Sequence, residues 1–139
     1  MTKDQARFDE FGAHVSTAGG VANAPGRARE IEAACLQLFT KQPNRWAEPS
    51  IDSEEVKAFS KAAEEKGIRV AGSHDSYLIN LASPDPELWN RSLRSFTREL
   101  ARCSALDLDF LVTHPGNATD GDHASGLSRN AEGVTKALE

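Results

Sequence analysis

The sequence predicts an α/β fold with a parallel sheet, organised as about the first four β/α units of a (β/α)8 barrel. Along residues 11–139, short apolar segments alternate four times with segments whose apolar residues have helical spacing. Such an alternation predicts parallel strands joined by right-handed crossovers. A complete eight-unit barrel needs about 200 residues or more, whereas this chain has 139. We therefore expect a partial barrel.

The first unit follows residues 1–10, a polar leader to a domain of residues 11–139. A short strand is expected at residues 11–16, where small and apolar residues end in a polar one. The residues of the next helical face are spaced by three, four and three: Val21, Ala24, Ala28 and Ile31. Pro25 fits that helix if it lies in the first turn.

The second unit begins with residues 34–40, which are largely apolar, as expected for a strand covered on both faces. The loop at residues 41–46 is basic and contains a tryptophan. Asp52–Glu55 supply a cap and acidic first-turn residues to a helix that ends at Gly67. Its apolar face is Val56, Phe59 and Ala63.

The third and fourth units follow the same order. Strands are expected at residues 68–71 and 110–113, with a helix from near Asp85 to about Asp107 between them. The apolar stripe of that helix is Trp89, Leu93, Phe96, Leu100 and Cys103. Its arginines lie off the stripe, so we interpret them as a solvated outer face: Arg91, Arg94, Arg98 and Arg102. A last helical face is Leu127, Ala131, Val134 and Leu138.

Composition restricts the function classes. A net charge of −5 argues against a protein that coats nucleic acid by bulk electrostatics, although a local basic surface is compatible with it. The chain has no apolar run of about 18 residues, so no membrane span is expected. The N-terminus lacks the apolar core of a secretory signal, which favours a cytoplasmic protein.

Three histidines lie at the carboxyl ends of predicted strands, where functional groups gather in parallel β/α folds: His14, His74 and His114. If the third and fourth strands are neighbours, His74 and His114 are close enough to share a metal ion. Zinc suits imidazole, and a hydrolytic zinc site usually takes three protein ligands. A carboxylate from a further strand is therefore expected, and His14 is interpreted as structural. Asp75 either orients His74 or caps the loop.

Tyr77 and Leu78 follow the histidine of the third strand directly. An exposed aromatic beside a catalytic centre can stack on or wedge into nucleic acid. The loop after the second strand carries Lys41, Arg45 and Trp46, which are expected on the same rim, where they suit phosphate and base contact. Alternatively, residues 77–81 form an apolar turn that packs under the next helix. His123 is interpreted as solvated surface.

Four motifs occur in order: GAHVSTAGGVANA at residues 12–24, LFTKQPNRW at 38–46, HDSYLINL at 74–81 and THPGN at 113–117. Together they resemble the N-terminal half of the endonuclease IV family of apurinic/apyrimidinic site nucleases. The resemblance covers about residue 11 to the end.

The resemblance implies a TIM-type barrel of the xylose isomerase-like kind with three zinc ions at its C-terminal face. It implies cleavage of the DNA backbone 5′ to abasic sites in base-excision repair, and removal of blocked 3′ ends. His74 and His114 match zinc ligands of the family, and Tyr77 and Leu78 match residues that enter the DNA at the lesion. The family often carries a DNA-probing arginine at the position of Asn44, and Arg45 is the neighbouring candidate.

The family's remaining zinc ligands have no counterparts in this sequence, and the catalytic residues are unknown. We therefore expect an incomplete chain that is weakly active or inactive on its own. One alternative is a metal-dependent sugar isomerase or epimerase of the related barrel superfamily, which would not need Tyr77 and Leu78 exposed. Another is a non-catalytic fragment that self-associates through the exposed edges of its half-barrel.

Overall fold

The computed structural model describes residues 11–139, which form a parallel four-stranded sheet in the order β1-β2-β3-β4. The strands are β1 (Gly12–His14), β2 (Cys35–Leu38), β3 (Val70–His74) and β4 (Phe110–Val112). The helices are α1 (Ala24–Glu30), preceded by a 3-10 turn (Val21–Asn23), then α2 (Ser53–Glu65), α3 (Pro86–Ala105) and α4 (His123–Leu138). The predicted order of four β/α units is confirmed. The polar leader at residues 1–10 lies outside the described residues.

The helices cover one face of the sheet. Alternate strand residues, such as Leu36, Leu38 and Ala71, point to that face and are buried. On the other face, Phe110 and Val112 expose 42% and 37% of their surface, and Cys35 and Gln37 are half-buried. Among the described residues β2 is thus covered on one face, and the expectation of cover on both faces is wrong. We call the second face the open face.

Two apolar clusters hold the helices to the sheet. The larger one packs β2 and β3 against the first two helices through residues such as Leu38, Ala28 and Phe59. The smaller one places Phe96 of α3 against Ile79 and Leu81, with Val134 and Ala137 of α4 beside them. The predicted faces of α2 and α3 are confirmed where they enter these clusters.

Local signals set the helix ends. The Asp52 carboxylate accepts bonds of 2.9 Å from the backbone N–H groups of Glu54 and Glu55, and the Glu55 carboxylate accepts from the N–H of Asp52 at 3.2 Å. This reciprocal capping box starts α2. Pro25 lies in the first turn of α1, as expected. Ile31, however, follows the end of that helix and is 58% exposed, so the predicted face is wrong at this residue.

The packed face of α4 differs from the prediction. Leu127 and Leu138 are 67% and 69% exposed, whereas Gly126 and Gly133 are buried. A Cβ atom at Gly133 would lie 2.9 Å from the Leu81 side chain, so the backbone of α4 approaches its neighbour where glycine permits it. Of the predicted face, Val134 packs against the smaller cluster, whereas Leu127, Ala131 and Leu138 are exposed, so the prediction is wrong at those three residues.

The arginines of α3 divide into two groups. Arg91, Arg94 and Arg98 are exposed, as expected of an outer face. Arg102 is buried, with 4% of its surface exposed, because its guanidinium pairs with Glu99 at 2.6 Å and Glu48 at 2.8 Å. The interpretation of Arg102 as a solvated residue is wrong.

Within residues 11–139, no helix combines the length and the apolar character that crossing a membrane requires.

Candidate metal and nucleic-acid site

The carboxyl ends of β2, β3 and β4 lead into loops at one edge of the sheet. We call this edge the rim, formed by residues 39–49, 75–82 and 113–118. The strand register places His74 opposite Val112, so His114 emerges two residues further along the neighbouring strand. Parallel pairing thus brings the ends of both strands to the same edge.

The structure brings His74 and His114 together. Their Nε2 atoms are 3.1 Å apart, and their ring centroids are 4.9 Å apart. His74 Nδ1 lies 2.8 Å from the backbone carbonyl oxygen of Asp75. Because a carbonyl oxygen can only accept, Nδ1 of His74 is the protonated nitrogen, and in the neutral ring Nε2 keeps its lone pair. That is the tautomer required of an Nε2 metal ligand.

This pair fits part of a zinc site. Two imidazole nitrogens on one tetrahedral zinc each lie about 2.1 Å from it and hence about 3.4 Å apart, close to the 3.1 Å between His74 and His114. The described residues contain no cluster of three or more histidine, cysteine or acidic side chains suited to a metal. Residues 11–139 therefore supply two donors, not the three of a hydrolytic zinc site.

Asp75 joins the two strands behind the histidines. Its carboxylate is 1% exposed and accepts a bond of 2.5 Å from the Thr113 hydroxyl, which follows β4. Burial raises the pKa of Asp75 to about 6, opposed by the Thr113 bond and by the charges of His74 and His114. The Asp75 carboxylate is 3.8 Å from His74 Nδ1, so the backbone carbonyl of Asp75 orients the ring and its side chain holds the loops together.

His14 lies at the end of β1, on the same edge. Its Nδ1 is 2.9 Å from the Gln37 amide nitrogen, and its ring packs on Phe39 with centroids 4.4 Å apart. Burial, followed by the charge of His74, lowers the pKa of His14. His14 is exposed, with its Nδ1 and its ring engaged by Gln37 and Phe39, and its interpretation as a structural residue stays a prediction.

Phe39 is a residue of the site that sequence reasoning missed. Its ring lies 5.7 Å from the ring of His74 and 5.3 Å from that of Tyr77, edge-on in both cases. Because it also contacts His14, it is an aromatic support beneath the site. The signal in the sequence was an aromatic at the end of a strand, two residues before the polar loop.

The two interpretations of residues 77–81 apply to different residues. Ile79 and Leu81 are buried in the smaller apolar cluster, as expected of a turn that packs under α3. Tyr77 is 63% exposed, with its ring centroid 6.0 Å from that of His74, and Leu78 is partly buried. The structure thus presents one large aromatic side chain to solvent beside the histidine pair.

Asn80 connects the loops after β3 and β4, and sequence reasoning missed this too. Its Oδ1 accepts from the backbone N–H of Asn117 at 2.8 Å, while its Nδ2 donates to the carbonyl of Asn117 at 3.0 Å. Gly116 has a φ of 93°, and a Cβ atom there would lie 2.3 Å from Asn80 Oδ1. The histidine–proline–glycine–asparagine segment therefore needs glycine for both its conformation and its contact.

The loop after β2 lies against the loop that carries Tyr77. The carbonyl of Pro43 accepts from the backbone N–H of Tyr77 at 2.9 Å and from the Ser76 hydroxyl at 2.6 Å. Arg45 is exposed on this loop, and the guanidinium of Arg91 lies 4.5 Å above the ring of Trp46. Arg45 and Trp46 therefore share the rim with Tyr77. The expectation that Lys41 lies on the rim to contact phosphate is wrong, because its ammonium is buried and donates to the carbonyl oxygens of its own loop.

Comparison with known proteins agrees with this fold and these motifs. A family model described as the xylose isomerase-like TIM barrel matches residues 25–139. The chain belongs to this family. It is 41% identical over 128 residues to "Probable endonuclease 4" of Chloroflexus aurantiacus, which covers 92% of the chain and 45% of that relative. The resemblance to endonuclease IV is confirmed, and the chain spans about half the length of the curated relatives it matches.

Solved structures give the same result. The crystal structure of endonuclease IV from Thermus thermophilus superposes with a TM-score of 0.82 at 34% identity, covering 93% of this chain and 46% of that one. A D-psicose 3-epimerase superposes with a TM-score of 0.65 at 16% identity, covering 91% and 47%. At that identity the epimerase shares the fold alone. The predicted partial barrel is confirmed.

Proposed function

We propose that this chain is part of a zinc-dependent endonuclease of the endonuclease IV type, which cuts the DNA backbone 5′ to abasic sites in base-excision repair. The observation that carries the proposal is the placement of exposed Tyr77 beside a histidine pair with Nε2 atoms 3.1 Å apart. A nuclease for abasic DNA needs a metal site for the phosphate, which the histidine pair could contribute to, and a side chain for the gap left by the missing base, which Tyr77 could fill. The names of the relatives support the same activity.

The role proposed for Tyr77 and Leu78 is to enter the duplex at the lesion. Unstacking costs least where a base is missing, so a side chain can occupy the gap without displacing one. The ring of Tyr77 contacts Phe39 edge-on, which supports it beside the histidine pair. The role proposed for Arg45, exposed on the adjoining loop, is to contact a phosphate of the same substrate.

The role proposed for His74 and His114 is to hold zinc through their Nε2 atoms. When bound, zinc would act as a Lewis acid on the scissile phosphate. The Asp75 carbonyl fixes the tautomer and ring orientation of His74, and Thr113 holds Asp75 in place. Replacing either histidine by alanine should weaken zinc binding at least about tenfold, measured by competition with a chromophoric chelator. His123→Ala, at an exposed histidine elsewhere, is the control.

The proposal is tested by binding to a duplex with one stable abasic analogue, with an intact duplex for comparison. Tyr77→Ala should reduce the preference for the abasic duplex, because one stacked aromatic contributes about 1–3 kcal/mol. Phe11→Ala is the matched control. Phe11 is 82% exposed and directly precedes β1, at the amino ends of the strands and so on the side of the sheet away from the rim. Equal binding of both duplexes by the unmodified chain would refute the proposal. A sugar epimerase would instead keep its turnover after Tyr77→Ala.

Cleavage by the 139-residue chain is a separate matter. We expect it to bind abasic DNA without robust cutting, because residues 11–139 bring two metal donors together and a hydrolytic zinc site takes three. An incision assay with added zinc decides this. Efficient cutting by the purified chain would show that two ligands suffice.

We further propose that this chain self-associates through its open face. Phe110 and Val112 on that face are more than one third exposed, and β1 and β4 are the edge strands of the described sheet. Exposed apolar surface and unpaired strand edges both favour association. A native mass measurement tests this, and a well-folded strictly monomeric chain would count against it.

A further inference from the structure

The loop from Lys41 to Pro49 has no regular secondary structure, and a buried ammonium group sets its shape. Lys41 is 9% exposed, and its Nζ donates to the backbone carbonyls of Arg45 at 2.5 Å and Ala47 at 3.1 Å. The same atom pairs with the Glu48 carboxylate at 3.1 Å. One side chain thus binds three residues of a nine-residue loop from inside.

The network continues into α3. The Glu48 carboxylate accepts from the Ser95 hydroxyl at 2.6 Å and from Arg102 at 2.8 Å. Arg102 also pairs with Glu99, which is 1% exposed and accepts bonds from two further hydroxyls, those of Thr40 at 2.8 Å and Ser73 at 2.6 Å. Two cations and two carboxylates balance one another. Burial acts to raise the pKa of Glu48, but the hydrogen bonds from Ser95, Arg102 and Lys41 together outweigh it and lower that pKa.

A buried network of this kind is a poor source of net stability, because desolvation offsets most of the attraction between its charges. An apolar core already holds α3 to the sheet through Phe96 and its neighbours. The network instead fixes the conformation of the loop from Lys41 to Pro49. Each charge has fixed partners, so the loop backbone has one arrangement that satisfies all of them.

The geometry matters because the outer side of the same loop contacts Tyr77. Pro43 accepts bonds from Ser76 and from the backbone of Tyr77, while Lys41 fixes the carbonyl of Arg45 from below. The loop is therefore attached to the rim on one side and to the buried network on the other. This attachment holds Arg45, which is exposed, and Trp46, which is half-buried, at a set position relative to Tyr77.

We propose that Lys41 is a positioning residue: it holds the loop from Lys41 to Pro49 in one shape, so that Arg45 is preorganised to contact DNA together with Tyr77. The inference rests on the proposed function. Lys41 itself touches no DNA in this scheme, since its ammonium is turned inward and surrounded by loop oxygens. Preorganisation of this kind raises affinity by removing the entropic cost of ordering the loop on binding.

Lys41→Met tests the proposal, because methionine keeps much of the stem and removes the ammonium. Backbone 15N order parameters of residues 44–48 should fall from about 0.85, typical of rigid backbone, to below about 0.6. Affinity for the abasic duplex should fall about tenfold. Lys57→Met is the matched control, since Lys57 is 71% exposed and pairs with Glu54 on the surface of α2. It should change neither quantity.

A double-mutant cycle separates positioning from a general structural effect. In an Arg45→Ala background the loop has lost the side chain that Lys41 positions, so Lys41→Met should then weaken binding by less than about threefold. A full tenfold loss in that background would show that Lys41 acts independently of Arg45 and would overturn the proposal. So would unchanged order parameters, or a mobile loop with unchanged affinity.

Two further measurements keep the test decisive. If Lys41→Met does not fold, Glu48→Gln replaces it, because the amide keeps the shape of Glu48 and removes the charge opposite Lys41; it should loosen the same residues to a smaller extent. If the unmodified chain fails to prefer abasic DNA, the proposed function fails. The order parameters then still decide whether Lys41 fixes the loop.

Discussion

The rim and the open face belong to the same sheet and differ in what surrounds their side chains. At the rim, Asn80 connects the loops after β3 and β4, Pro43 of the loop after β2 accepts a bond from Ser76, and Asp75 is held by Thr113. On the open face, Phe110 and Val112 are 42% and 37% exposed. The rim is thus fixed by polar contacts among the described residues, whereas the open face presents apolar surface suited to a further layer. The contacts that fix the loops of the rim are therefore complete within the described residues even though the open face of the same sheet is exposed.

The sharpest test of the rim's dependence on its buried network is Glu99→Ala. The change leaves Arg102 buried with one partner fewer and removes the acceptor of the Thr40 and Ser73 hydroxyls. Breaking a buried pair in this way costs about 3–5 kcal/mol of unfolding free energy. Urea denaturation measures it. Glu132→Ala, which breaks an exposed pair with Lys136, is the control and should cost less than about 1 kcal/mol.

A smaller loss is expected where two loops of the rim meet. Gly116→Ala should lower the free energy of unfolding by about 2–4 kcal/mol, because a positive φ is strained for alanine and Asn80 must move. Gly121→Ala isolates the cost of the backbone strain alone, since Gly121 has a φ of 80° and a Cβ atom there would meet nothing within 4 Å. It should cost about 1–2 kcal/mol. Equal losses in both variants would show that the contact with Asn80 contributes nothing.

A substitution on the open face should change self-association of the chain more than its free energy of unfolding. Phe110→Ser removes a half-exposed ring, so it should lower the free energy of unfolding by less than about 1.5 kcal/mol. If two copies of the chain pair through this face, the dissociation constant of the pair should rise at least about tenfold in the variant. Sedimentation velocity over a concentration series measures this. Unchanged self-association in the variant would place the contact elsewhere.

The reactivity of the two cysteine thiols should differ between the buried interior and the open face. Burial raises the pKa of Cys103 to about 12, so at pH 8 very little of it is the reactive thiolate, and its alkylation should accelerate as the pH rises. Cys35 lies half-buried on the open face. Iodoacetamide at pH 8 should therefore modify Cys35 first, as read by peptide mass spectrometry. Protection of Cys35 at high protein concentration would indicate that the open face is covered by association.

Much of the site was predictable because its signals are local or follow from parallel topology. Once residues 70–74 and 110–112 are neighbouring strands, His74 and His114 must reach the same edge. The exposure of Tyr77 and the position of Arg45 on the adjoining loop agree with the prediction, and their roles stay predictions. Phe39 and Asn80 were missed because their importance depends on what they touch, and Asn80 touches a residue 37 positions away.

The sequence by itself determined the order of the β/α units, the capping box of α2 and the placement of histidines at strand ends. Apolar spacing and helix caps act over a few residues, so they can be read without knowing the fold. Tertiary structure alone decided that Arg102 is buried, that α4 packs through Gly126 and Gly133, and that one face of β2 is open. Arg102 owes its burial to Glu48, 54 positions away, and α4 approaches Leu81 closely because Gly133 has no side chain. Neither cause is read from the spacing of apolar side chains.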